Sequence, residues 1–235
     1  MAELARRNRQ RLLDLFGAAD MLVVATAPEH VFYCSGYKSM GFDTDRAMRM
    51  AVVFDSARSI VIGPKADHWA AAEAIGDGLD YFAYGAFFFD ERDKTPGAAT
   101  FNSFAEALRA AIAELANGKR GIFHDRSPDV LTGLGALTAV DGSGVFRRAR
   151  AIKHGLEIDL MRAVSALTER ALARALEEAR AGMSEAELAA IMSSEIIAHG
   201  GLPGFVVVTA GERSALADAY ATTRPLRGHD IVRID

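Results

Sequence analysis

Short apolar runs alternate with helix-period segments over the first 124 residues, and this alternation constrains the fold more than any other feature of the chain. Met50 to Phe54 and Ser59 to Ile62 are rich in Val and Ile, and the polar stretch Asp55 to Arg58 between them predicts a hairpin. Met21 to Thr26, Tyr81 to Tyr84 and Arg120 to His124 read as further strands. Helices are expected at Ala2 to Phe16, Asp67 to Ile75 and Phe101 to Ala116, the last stopped by Asn117-Gly118. Strands and helices in this order imply an α/β domain on a mixed sheet.

Beyond Asp141-Gly-Ser-Gly144, which reads as a linker, the pattern changes. Leu156, Leu160, Ala163, Leu167, Ala171 and Ala175 recur near one side of a long amphipathic helix, Leu156 to Ala181. Ser184 then opens a second helix, and Glu187 three residues later gives capping-box spacing, which satisfies amide donors at the helix start. That helix runs to His199 and stops at Gly200-Gly201. Phe205 to Thr209 and Ile231 to Ile234 read as strands. The expected domains are therefore 1–148 and 149–235. Two helices and two strands leave a sheet face and several edges uncovered, and Asp235 follows directly on a strand. The second domain is thus expected to be incomplete, and the chain a fragment that is inactive alone.

Composition narrows the classes of partner. A formal net charge of -4 gives no basic field for nucleic acid or an anionic membrane. Met1 to Phe16 is rich in Arg but lacks the apolar core of a signal peptide. No uncharged apolar run approaches the roughly 20 residues of a membrane span, so neither nucleic acid nor membrane is an expected partner. Cys34 is the one cysteine, which excludes an intrachain disulfide and a cysteine-rich zinc site. The expected compartment is the cytoplasm.

From Arg150 onward the chain resembles the start of the pita-bread catalytic domain of the creatinase/prolidase/aminopeptidase P family. The residues that carry the resemblance are Arg150-Ala-Ile-Lys153 with Glu157-Ile158 and Arg162-Ala163, then Gly182-Met-Ser-Glu185 with Glu187-Leu188. Ala210-Gly-Glu-Arg-Ser-Ala-Leu216 and the stretch Leu226 to Asp235 complete it. Upstream, Glu29-His-Val-Phe-Tyr-Cys-Ser-Gly36 is similar to a segment of the family's amino-terminal domain. The resemblance implies a creatinase-like amino-terminal domain, followed by the first part of an α+β pita-bread domain. It also implies a basic strand at Arg150 to Lys153 that enters the first long helix.

Read through the same resemblance, Asp235 is the first metal-binding aspartate, the later ligands being a second Asp, a His and two Glu. Oxygen ligands with one imidazole suit two divalent ions, Mn, Co or Zn, which act as Lewis acids on a scissile carbonyl. The reading without chemistry is a polar residue at a strand end. Asp218 stands where prolidase-like members carry a substrate-contacting histidine, with Ala217 where proline is usual. An ionised aspartate only accepts hydrogen bonds. It either recognises a cationic or amide-bearing substrate or is a solvated loop residue.

The implied activity is a metal-dependent, peptidase-like hydrolysis of small peptides near the amino terminus, as in Xaa-Pro dipeptidases and aminopeptidase P. Two alternatives stay open: hydrolysis of a small amide's C–N bond, as by creatinase or ectoine hydrolase, and a non-catalytic binding or assembly module. A homodimer is also implied. Phe87-Phe-Phe89, ahead of Asp90 to Lys94, reads as a part-buried loop or as a subunit or substrate contact. His229 is expected in a solvated turn, His199 at a helix end, and Cys34 as a buried structural thiol.

Overall fold

The computed structural model describes every residue except 18, 46, 77–79, 87–98, 127–130 and 132–136, so Phe87-Phe-Phe89 lies outside the described residues. The chain divides into two compact units, Met1–Lys153 and His154–Asp235.

The first unit is a seven-stranded sheet in the order β5-β4-β3-β2-β1-β6-β7. Its strands are β1 (Met21–Ala25), β2 (Ala51–Phe54), β3 (Ser59–Pro64), β4 (Asp80–Tyr84), β5 (Ala99–Phe101), β6 (Gly121–His124) and β7 (Thr138–Asp141). β2 runs antiparallel to both β1 and β3, while the remaining pairs are parallel, so the sheet is mixed as the sequence predicts. The β2–β3 turn is held by Asp55, whose carboxylate accepts from the amides of Ala57 and Arg58 at 2.8 and 2.9 Å.

Side chains alternate across the sheet. Val23, Ala25, Val52, Phe54 and Val61 join Leu12 and Phe146 in one core. Leu22, Val24, Val53, Ile60 and Ile62 join Leu108, Ala111 and Ile112 in another. With both faces covered, the central strands are apolar at successive positions. One core is built on α1 (Ala2–Phe16), α2 (Pro28–Ser35) and α6 (Ser143–Ala151); the other is built on α5 (Phe104–Leu115). Two short helices, α3 (Met40–Thr44) and α4 (His68–Ile75), complete the unit.

Three local expectations change. Phe101 belongs to β5 and not to the helix, because Ala99–Phe101 pairs in parallel with β4 and Ser103 caps α5 through the Glu106 amide. Asp141-Gly-Ser-Gly144 is no linker: Asp141 ends β7 and Ser143 starts α6. Gly142 is required there because a Cβ would fall 2.8 Å from the Phe16 ring. Arg150 to Lys153 is not a strand, since Arg150 and Ala151 form the last turn of α6.

The second unit holds α7 (Gly155–Glu178), α8 (Glu185–Ala198), and an antiparallel pair, β8 (Val208–Ala210) with β9 (Val232–Ile234). Its core joins Ala175, Met183, Leu188, Met192, Val208, Ala210 and Leu226. Only part of the expected α7 stripe is buried: Ala171 and Ala175 are fully covered, whereas Leu156 and Leu160 are 39% and 43% exposed. Ser184 and Glu187 form the predicted capping box, with each side chain bonded to the other's backbone amide at 3.2 and 2.7 Å.

Candidate functional site

The second unit centres its polar chemistry on Glu185, the first residue of α8. The helix dipole favours a carboxylate at this end. The side chain is fully buried, which without partners costs several kcal/mol. Here every lone-pair direction is used. One oxygen accepts from the Ala210 amide at 2.8 Å. The other accepts from the Thr222 amide at 3.0 Å and from the Thr222 hydroxyl at 2.7 Å. Arg213 Nε lies 3.2 and 3.1 Å from the two oxygens. Burial pushes the pKa of this carboxyl up, but the bonds from Thr222 and Ala210 and the charge of Arg213 outweigh it and hold it below the usual carboxylate range.

Glu185 therefore grips β8 and both stems of the loop from 211 to 222. The loop opens on a 3-10 turn, Gly211–Ala215. Gly211 has φ +57, and a Cβ there would meet the Arg224 guanidinium and stand 2.7 Å from Asp230 Oδ1. Arg213 also donates to the Tyr220 carbonyl at 2.9 Å, closing the loop on itself.

A second ion-pair set lies beside the turn. Arg224 binds Glu212 through two nitrogens at 3.1 and 2.9 Å and binds Asp230 at 2.7 Å. Its guanidinium lowers Glu212 to about 2 and holds Asp230 below the usual carboxylate range.

Asp235 extends the β8–β9 ladder: Val207 donates to its carbonyl at 2.7 Å, and its own amide donates back at 2.9 Å. Strand alternation puts Val232 and Ile234 on the core face and Arg233 and Asp235 on the other. The Asp235 carboxylate is 58% exposed, 3.4 Å from Arg233. Arg233 also donates to the Leu216 carbonyl at 2.9 Å, two residues before Asp218. Asp218 itself sits exposed in the turn after the 3-10 segment. Arg233 thus links the strand face that carries Asp235 to the loop that carries Asp218, while no hydrogen bond or ion pair joins the two aspartates among the described residues.

Among the described residues there is no group of three or more His, Cys, Asp or Glu side chains that could hold a metal ion. One exposed carboxylate is not a divalent site, so the described residues do not fit a metal centre, and no chemical step is routed through one. His229 is exposed in the turn before β9, and His199 caps α8, with its Nδ1 3.0 Å from the Glu195 carbonyl. Cys34 is fully buried and its thiol is pushed up by burial, which makes it inert.

Two polar centres escape sequence reasoning. Glu185 enters it only as the end of Gly182-Met-Ser-Glu185, where its place directly after a capping serine is the one available signal. In the first unit, Asp125 accepts from the Thr26 and Ala27 amides, the Thr26 hydroxyl and His30 Nδ1, all at 2.8–3.0 Å. Arg150 Nη1 lies 3.2 Å from His30 Nε2. Arginine only donates, so Nε2 accepts and the ring proton sits on Nδ1. Arg150, one of the residues that carry the resemblance, thereby anchors the end of α6 to the sheet.

Residues 159–235 match the model of metallopeptidase family M24. The sequence is 36% identical over 103 residues to "Probable dipeptidase PepE" of Mycobacterium tuberculosis, a match that takes in 43% of this chain and 27% of that protein. An Xaa-Pro dipeptidase from Bacillus anthracis has the same fold, with a TM-score of 0.68 at 17% identity over 98% of this chain and 60% of that one. The X-Pro aminopeptidase of Thermotoga maritima gives a TM-score of 0.72 at 17% identity, covering 96% of this chain and 59% of that one. The dipeptidase PepE of Mycobacterium ulcerans gives 0.63 at 21% identity, covering 100% and 60%. The chain thus spans about 60% of the length of these solved structures. It has the mixed α/β fold of the prolidase and aminopeptidase P structures, and its residues 159–235 are similar to metallopeptidase family M24.

Proposed function

We propose that this chain is the amino-terminal part of a metal-dependent, peptidase-like hydrolase that acts on small peptides, with Xaa-Pro dipeptides as the favoured class. The observation that carries this reading is the family match over residues 159–235, the stretch that holds Glu185, the 211–222 loop and the β8–β9 pair. Domains 1–148 and 149–235 are proposed as the creatinase-like domain and the first part of the pita-bread domain. Asp235 is proposed as one metal ligand. Its exposed carboxylate on the non-core face of β9 supports that role. Its partner ligands and the two divalent ions (Mn, Co or Zn) belong to a chain as long as the solved relatives, so the 235 residues alone are proposed to be inactive.

Asp218 is proposed as a substrate contact. Its exposure in a turn whose stems are fixed supports this, and an acceptor-only carboxylate suits a peptide's amino group. The same acceptor suits a small amidine or cyclic amide, so hydrolysis of a small-molecule C–N bond is the second reading. A homodimer in the cytoplasm completes the proposal.

The test is a substrate panel on the chain extended to its relatives' length. Turnover of Xaa-Pro dipeptides with added Mn²⁺ supports the peptidase reading, and turnover confined to creatine-like or cyclic amides supports the second. Loss of neither activity on chelation argues against metal dependence. Peptidase turnover by the 235 residues alone contradicts the proposed division of the site.

A further inference from the structure

We infer that Glu185 is the positioning residue for the 211–222 loop and so for Asp218; this rests on Asp218 being a substrate contact. Apolar packing contributes little at the loop's tip. Leu216 is 45% exposed and Tyr220 is 91% exposed, and Asp218 is exposed as well, so apolar burial does not fix its tip. A segment with few buried apolar contacts opens at low free-energy cost unless polar ties hold it.

Among the described residues two of the loop's polar ties run through one carboxylate, beside the Glu212–Arg224 ion pair and backbone bonds from Gly211 to Ile231 and from Ala186 to Thr222. Glu185 holds the entering stem through the Ala210 amide and Arg213, and the leaving stem through the amide and hydroxyl of Thr222. Arg213, fixed by Glu185, passes the constraint to the tip through the Tyr220 carbonyl. A separate tie runs from Arg233 to the Leu216 carbonyl. Because Glu185 is the first residue of α8, the helix start is where both stems of the loop are held.

Amide hydrogen exchange on the 235-residue chain, without substrate or metal, tests this. Thr222→Val keeps the shape of the side chain but removes the hydroxyl donor. It is expected to speed exchange over 216–222 by about tenfold, with α7 and β9 unchanged. Thr222→Ser keeps the hydroxyl and is expected to keep wild-type rates, a rescue that a packing role does not give. Glu185→Gln is expected to loosen both stems. Unchanged loop exchange in Thr222→Val overturns the inference, as does an equal rise across α7, α8 and β9. Failure of the peptidase reading leaves these rates where they are, so the two failures are told apart.

Discussion

Arg213 Nε lies 3.2 and 3.1 Å from the two carboxylate oxygens of Glu185, and the same guanidinium reaches on to the Tyr220 carbonyl. A buried carboxylate is stable only with such partners, and removing it strands four donors at once. Glu185→Ala is therefore expected to destabilise the second unit by about 2–4 kcal/mol. Denaturant unfolding followed on a probe in that unit reads the change, and a loss under about 0.5 kcal/mol contradicts it.

Acid should weaken both units. Burial raises the pKa of the Glu185 and Asp125 carboxyls, but their hydrogen bonds, with the charge of Arg213 at Glu185, outweigh it, so both sit below their ordinary values. A lowered folded-state value gives stability that is present above the unfolded value, about 4.3 for Glu and about 3.9 for Asp. It is lost as pH falls through the folded value. The thermal transition should hold near neutral pH and drop steeply below about pH 4, and Asp125→Asn should flatten part of that drop. A transition that is level down to about pH 2 would show that these carboxylates are not what acid disrupts.

His30 joins Asp125 to Arg150 and stacks on Phe146 with ring centroids 4.6 Å apart. His30→Ala leaves a buried acceptor short of one donor and opens a cavity beside Phe146. The expected cost is about 2–3 kcal/mol in the first unit, read by equilibrium unfolding. A cost near zero would mean that Thr26 and Ala27 suffice for Asp125.

Gly211→Ala should destabilise the turn by about 1–2 kcal/mol. The added Cβ meets a left-handed backbone at φ +57 and the packed Arg224–Asp230 pair. Wild-type stability in this variant would show that the pair swings away freely.

Much of the fold is legible in the sequence because burial on both sheet faces leaves continuous apolar runs. The β2–β3 hairpin and the Ser184–Glu187 capping box are local patterns and are read directly. The errors come where tertiary contact decides. Gly142 looks like a linker glycine, but it is needed for close approach to Phe16. Phe101 has helix-compatible neighbours, yet edge pairing with β4 extends it into β5. Glu185 is legible only as a capping-region acid, since its partners lie 25 to 37 residues away. No short-range pattern announces a buried carboxylate shared by three distant segments.

The most direct test of the account is hydrolysis of an Xaa-Pro dipeptide with added Mn²⁺, measured on the chain extended to its relatives' length and on its Asp235→Asn variant. Turnover is expected in the first and a loss of about a hundredfold or more in the second. Equal turnover in both would contradict the role given to Asp235, and no turnover of any Xaa-Pro peptide by the extended chain would contradict the peptidase reading itself.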